Sequence, residues 1–525
     1  MLNFNRNRLF AIAAFVLSLL LAGCAGPALR VAPHAELKVL DPVWTTAYIT
    51  RNHGHLVYDT LFALDENFEP QPQMVDTWTS STDKRTWVYK LRNGLKWHDG
   101  TNVTAADCVA SLKRWGKRDG AGQQLFNNIS SLSAIDSKTI EIKLRESNPF
   151  VNDILAKTSS NVPFMMPKRI AQTSAYTAIN DPIGSGPFIF KKDEWVPGKK
   201  VVYIKNESYV SRKEPQSMAA GGKVAKMDRI EWKFYPTQTA ATNALINGEV
   251  DYLESPSTKL IPSLEGKKNI VVAFTDPLGN IAMARFNSLQ PPFDNVKVRR
   301  AALMAMNQKE YMTAALGDQK YWKTCYSVYP CGTQFENETG NAVMKVADIA
   351  AAKKALKDAN YDGTPVVILN PADIPVLDAL TKVTADKLRS IGMTVNVKDM
   401  DWATMTKRRA SRGSVNDGGW NMFHTWWIAA DLADPNAIAF SGNRDTGWYG
   451  WPADAQLEQY RTAFAKSASR QERKEIAAKV QERLFAIGAL GILGQFFEPV
   501  AYSSKVKGIT TPVQFYWSMS FGSGK

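Results

Sequence analysis

The stretch Asp417–Pro435, DGGWNMFHTWWIAADLADP, gathers three tryptophans and then sets two carboxylates just ahead of a proline. Its chemistry is stacking combined with charge. Trp420, Trp426 and Trp427 offer large, rigid apolar area, and an aspartate beside them can form a charge-assisted pair with a cation, one that strengthens where water is excluded. Alternation along a strand puts Trp420 and Trp426 on one face and Trp427 on the other, which divides them between a core and a pocket wall, with Trp426 or Trp427 at the pocket. Asp431 is the candidate cation partner, and Asp434, beside Pro435, is expected to cap the next helix. Arg285, in MARFN, is a candidate partner for a ligand carboxylate, with a structural ion pair as the alternative.

Catalytic signatures are absent from the sequence: it has no HExxH helix, no Gly-x-Ser-x-Gly elbow, no Walker lysine and no Cys/His arrangement that would activate a nucleophile. His53 and His55, in RNHGHL, lie two apart in an expected helix, where their directions diverge by roughly 200° and a shared metal ion is out of reach. The reading is a binding protein rather than an enzyme, with no metal and no cofactor.

The elements that position these residues belong to a chain of 525 residues, enough for two to four compact units. A hydrophobic content of 45% with 22% charged residues is that of a folded globular protein. The first residues, MLNFNRNRLFAIAAFVLSLLLAG, pair two arginines with an apolar run that ends in small residues, the layout of an export leader. No later run is apolar enough to span a bilayer. Without Arg6 and Arg8 the mature chain keeps 62 basic against 50 acidic residues. These charges are scattered, with no basic arm or zinc-ligand spacing, so nucleic acid is not an expected partner.

Export to an oxidising compartment bears on the cysteines. Cys325 and Cys331 bracket YSVYP, a loop-like segment, and are expected to close a small disulfide. Cys108, on the same side of an apparent helix as Leu112, reads as a buried free thiol.

Turn-rich strands come early, with TWVYKLR as a half-buried strand, turns at Asn93-Gly94 and Asp99-Gly100, and a helix starting at Thr104 with Asp107 three residues on. RIEWKFY, TQTAATNALING and VDYLE then form a strand, helix, strand unit, and TPVVILN, VLDALTKVTADKLRSIG and MTVNVKD form another. Between them Asp294 is expected to cap one helix, and Asn307 with Glu310 the next. The last forty residues are strand and loop again and resemble the first body. A chain that leaves one lobe, builds another and returns has two connecting strands, a natural hinge.

Several blocks carry a family resemblance: VYDTLFALDENFEPQPQMVDTW, TWVYKLRNGLKWHDGTNVTAADCVASLKRW, GSGPFIF, ALINGEVDY, PPFDNVKVRRAALMAMNQKEY and DLADP. In that order they resemble the peptide- and nickel-type family of extracellular solute-binding proteins, the binding components of bacterial ABC importers. The resemblance implies an α/β, two-lobed periplasmic-binding-protein-like fold with an extra subdomain inserted in the first lobe. The expected division is a leader at 1–24, a first lobe at 29–57, 182–275 and 489–525, an inserted subdomain at 58–181 and a second lobe at 276–488.

It further implies a monomer in the periplasm or cell envelope that delivers solute to an ABC permease. Leu21, Ala22, Gly23 and Cys24 resemble a lipobox, with Cys24 the residue that would carry lipid. In peptide-binding members the aspartate three residues ahead of the acidic-Pro pair holds the ligand's α-ammonium, which here is Asp431; those members place a tryptophan three residues before it, whereas Trp427 lies four before. Trp402 resembles an aromatic that walls the family's cleft, with a helix-start core residue as the alternative. Thr45, Thr46 and Tyr48, in VWTTAY, match its early ligand-contacting loop. Short peptides are the leading ligand class, with glutathione, opine-like conjugates, haem or metal chelates as the others.

Overall fold

The structure is a computed structural model and describes residues 27–467, 469–511 and 513–522. The leader and Cys24 lie outside the described residues.

The first lobe is built on a seven-stranded sheet. Strand Arg229–Lys233 alternates so that Ile230 and Trp232 are fully buried. It and Tyr252–Leu253 both run parallel to Ala28–Ala32, one on each side. The helix that joins them, Gln238–Ile246, begins where the Thr237 side chain accepts from the Ala240 N–H.

The second lobe holds a six-stranded sheet in the order Trp322–Lys323, Leu490–Phe496, Asn280–Phe286, Met422–Ile428, Val366–Pro371, Val395–Met400. The last two are parallel neighbours around helix Pro375–Ser390, which buries Leu377, Leu380 and Leu388. The chain crosses from the first sheet to the second after Ile270–Phe274, and it returns later than the sequence reading has it. Leu490–Phe496, assigned by sequence to the first lobe, pairs with Asn280–Phe286 in the second, and the return comes just before Pro499–Ser503. The misassignment has a physical cause: all seven residues of LGILGQF are buried, and a continuous apolar run fits the centre of either sheet.

The inserted region forms a four-stranded antiparallel sheet of Val75–Ser80, Thr86–Leu91, Thr139–Leu144 and Ile129–Ala134. It has its own apolar core, which includes Trp87, Tyr89, Trp115 and the free thiol of Cys108. Thr104 and Asp107 exchange side-chain to backbone bonds at the start of helix Ala105–Trp115. Asp294 is not a cap: the neighbouring Asn295 takes that place and accepts from Lys297 N–H. Asn307 does cap its helix, through Lys309 N–H, while Glu310 pairs with Lys387 instead. Cys325 and Cys331 are joined, and their backbone N–H groups donate to Gln308 and Gln495.

Candidate functional site

Strand Met422–Ile428 ends in a tight turn, Ala429–Leu432, that delivers Asp431 beyond the carboxyl edge of the second sheet. Three parts of the chain meet there. The Tyr48 hydroxyl, from the first lobe, donates to Asp431 Oδ2 at 2.8 Å and accepts from the Ile428 N–H at 2.6 Å. The Ser159 hydroxyl, from the inserted subdomain, donates to the same oxygen at 3.0 Å and accepts from Arg51 Nη1. The Arg51 guanidinium lies 4.5 Å from the centre of the Tyr48 ring. Burial holds the Asp431 carboxyl above the ordinary carboxylate range, and the nearby Lys157 and Arg51 cations oppose that shift.

The loop that precedes Tyr48 is fixed from below. Asp41 and Arg114, both buried, form a two-pronged pair at 3.0 and 2.6 Å. The free lone pairs of Asp41 accept from the N–H groups of Val43, Trp44 and Ile179. Asn161 donates to the carbonyls of Pro42, Val43 and Thr45. A buried ion pair with its remaining valences satisfied acts as a rigid post, and it presents Thr46 and Tyr48 to the second lobe. Thr46 Oγ1 accepts from the Trp448 indole at 3.2 Å, a further contact between lobes. Thr45 turns inward instead, accepts from Ala47 N–H, and is buried.

The tryptophans divide, though not as alternation predicts. Trp420 precedes the strand's first residue, so strand periodicity does not reach it. It is fully buried and donates to the Arg409 carbonyl. Trp426 is half-buried and stacks on Trp402, ring centres 6.0 Å apart and planes 12° from parallel. Trp427 packs on Trp448 at 5.0 Å. Trp402, Trp426 and Trp427 share the wall of a small pocket of about 10 Å³ with Thr46, Tyr48 and Arg409. Trp402 is thus both the first residue of its helix, capped by Asp401, and a pocket wall.

Arg285 takes up neither role expected of it. It is fully buried in the second lobe, donates to the carbonyls of Tyr449 and Ala439, and meets no carboxylate among the described residues. Asp434 caps no helix; it holds a turn through a 2.6 Å bond from Asn436 N–H. His53 faces the Tyr203 hydroxyl and His55 the Thr158 carbonyl, so the two rings serve different neighbours.

A cavity of about 710 Å³ opens between the inserted subdomain and the second lobe. Phe150, Lys157 and Ser159 line it on one side and Asp431, Phe464 and Arg473 on the other. Its size and its mix of apolar walls with a few charged groups suit a small organic ligand or a short peptide. Sequence reasoning did not find Lys157, Ser159 or Arg51: a short polar run such as AKTSSN carries no periodicity to single them out.

Residues 69–450 match the family model for bacterial extracellular solute-binding proteins, family 5. A probable peptide ABC transporter periplasmic-binding protein, y4tO, of Sinorhizobium fredii is 37% identical over 489 residues, 92% of either chain. The glutathione-binding protein GsiB of Escherichia coli K12 is 25% identical over 80% of this chain and 78% of its own. Among solved structures, the fold is similar to the Helicobacter pylori binding protein DppA in complex with the peptide STSA, with a TM-score of 0.76 at 21% identity over 94% of this chain and 98% of that one. It is equally similar to AgaA of A. tumefaciens R10 in complex with agropinic acid, with a TM-score of 0.77 at 19% identity over 95% and 99%. At these identities the two structures speak for the two-lobed fold alone.

Proposed function

Because this chain belongs to the bacterial extracellular solute-binding proteins of family 5, we propose that it is the substrate-binding component of an ABC importer that captures short peptides between its lobes and hands them to the permease. The observation that carries this reading is the position of Asp431: a carboxylate at the meeting point of both lobes and the inserted subdomain, on the wall of a 710 Å³ cavity. A peptide's α-ammonium is the natural partner of such a group. The relative at 37% identity, described as a peptide transport component, supports the same ligand class.

Binding proceeds without chemical change, the protein acts as a monomer in the periplasm, and Cys24 is the candidate lipid anchor, testable from the mass of the mature N-terminus. Turnover of peptides by the purified protein would overturn the binding-only reading. A thermal-shift screen with di- to pentapeptides tests the ligand class, because a ligand at 100 times its Kd stabilises the protein by about 2.7 kcal/mol. A shift with a non-peptide solute and none with peptides would reject it. The second reading, a non-peptide solute such as glutathione, an opine-like conjugate, haem or a metal chelate, is favoured by the glutathione-binding relative at 25% identity.

A further inference from the structure

The inserted subdomain and the first lobe are tied into one body by the buried Arg114–Asp41 pair and by the bonds from Asn161 to the carbonyls of Pro42, Val43 and Thr45. The second lobe meets that body at Tyr48 and again at helix Gly120–Asn128 of the inserted subdomain, where Gln123 Nε2 donates to the Thr446 carbonyl at 2.9 Å. Gly120 lies three residues before Gln123, on the same face of the helix, and is buried.

A side chain does not fit at Gly120. An ideal Cβ there would lie 2.2 Å from the Asn436 carbonyl oxygen, 3.0 Å from the Ile438 nitrogen and 3.1 Å from the Ile438 Cα, all backbone atoms of the second lobe. Among the described glycines, it is the one whose nearest atoms belong to the opposite lobe; a Cβ at Gly122, two residues on, would press on the Trp115 ring at 3.1 Å, inside the same subdomain. The backbone at Gly120 stays out of the left-handed region, so its own conformation admits any L residue. The second lobe alone excludes the side chain.

Both sides of this contact are fixed. The Asn436 carbonyl accepts from Arg461 Nη2 at 3.1 Å, and that fully buried guanidinium also holds the Pro435 carbonyl and pairs with Glu458 at 2.8 Å. Asp119, fully buried, caps the helix by accepting from the Gly122 N–H at 2.9 Å, donates its own N–H to the Trp115 carbonyl and pairs with Lys157.

The turn that Gly120 meets is continuous with the one that carries Asp431, and Asp434 within it accepts from the Asn436 N–H. Ser159, which donates to Asp431 at 3.0 Å, and Lys157, whose charge opposes the burial shift of both aspartates, come from the same subdomain as Gly120. Relieving a contact of 2.2 Å requires retreat to the 3.4 Å at which ordinary packing begins. A hydrogen bond does not persist beyond about 3.5 Å, so a retreat of that size is enough to break the Ser159–Asp431 bond.

We propose that Gly120 is a closure stop, a positioning residue that sets how near the inserted subdomain comes to the second lobe and so brings Ser159 and Lys157 to the Asp431 carboxylate. The proposal rests on the reading of Asp431 as the ligand-holding group, and it adds a residue that governs capture without touching the ligand.

The test uses the full chain, with hydrogen exchange over residues 429–441 and calorimetric titration with trialanine and N-acetyl-trialanine. Gly120→Ala should speed exchange of that segment at least tenfold and weaken both probes at least tenfold with their ratio unchanged, because closure serves every ligand alike. Alanine is the better helix former, so its effect on the helix itself has the opposite sign. Gly122→Ala, which strains packing inside the subdomain, should leave exchange of residues 429–441 and both affinities within twofold of the parent. Gln123→Ala removes the adjoining bond between lobes and should move both readouts in the same direction by less; it decides the matter if Gly120→Ala does not fold, as judged by circular dichroism and melting. Parent-like exchange in Gly120→Ala, faster exchange with unchanged affinity, or an equal effect of Gly122→Ala would overturn the proposal, as would an unchanged Gln123→Ala where that variant decides. If the parent binds neither trialanine nor glutathione, those ligand classes fail by themselves, and the exchange rates decide the stop: faster in Gly120→Ala alone supports it, and equal rates remove it.

Discussion

The Tyr48 hydroxyl and the Asp431 carboxylate, 383 positions apart in the chain, lie 2.8 Å from one another. A first-lobe side chain thus occupies a hydrogen-bonding site on the carboxylate assigned to the solute's cation.

Asp431→Asn should weaken binding of free-amine peptides about 10- to 100-fold, the equivalent of one hydrogen bond to a charged group at about 1.5–3 kcal/mol. N-acetylated peptides should lose far less; equal losses would remove the assigned role. Burial places the Asp431 carboxyl above the ordinary range, and its protonation competes with a cation. Affinity should therefore fall as pH drops through that raised value, and the Asn variant should lack this slope.

Tyr48→Phe removes a donor to Asp431 and leaves the Ile428 N–H without its acceptor. The closed form without ligand should lose about 1–3 kcal/mol. Small-angle scattering should then register a larger radius of gyration for the unliganded variant, converging on that of the parent when ligand is added. An unchanged radius would separate this contact from lobe closure.

His53 and His424 are fully buried, and burial lowers each pKa from 6.5 to about 3. His424 is held between the Thr381 and Thr384 hydroxyls. Because the folded state disfavours the charged ring, the stabilisation is complete above pH 6.5 and is lost as pH falls from there toward about 3. The loss should be about 1.4 kcal/mol per pH unit for each ring. Urea unfolding at pH 7 and pH 4.5 should show a shallower fall for His424→Gln than for the parent; parallel slopes would exclude His424 as a source.

Reduction of the Cys325–Cys331 bridge, whose partners are six positions apart, should cost about 2 kcal/mol by loop-closure entropy. Melting with and without a reductant, with Cys325→Ser as control, measures it. The variant should be insensitive to reductant, because its two remaining described thiols, Cys331 and the buried Cys108, no longer have the Cys325 sulfur to form the bridge.

The two strand, helix, strand units were legible because periodicity, a capping threonine and terminal glycines agree locally, as at Thr237 and Gly392. Asp431 was legible as a carboxylate that follows an apolar strand. Arg409 was not, because Lys407, Arg408 and Arg409 together read as a solvated face. Arg408 does bond loop carbonyls near the surface, at Gly418 and Gly419, while Arg409 turns into an aromatic enclosure assembled from residues up to 40 positions away. Likewise nothing local in LGILGQF names the sheet it joins; its register against Asn280–Phe286 does. Local chemistry announced the elements, and long-range pairing decided which side chains share a site.

The late return of the chain has a consequence for how such an architecture can be taken apart. The second lobe's first strand residue, Asn280, stands opposite its last, Phe496, in a single rung of the ladder. On the other side of the crossing, Phe274 stands opposite Pro499 in the same way. The second lobe is therefore a cassette whose ends already touch, so one short linker could seal it as a free-standing unit, and another could heal the first lobe behind it.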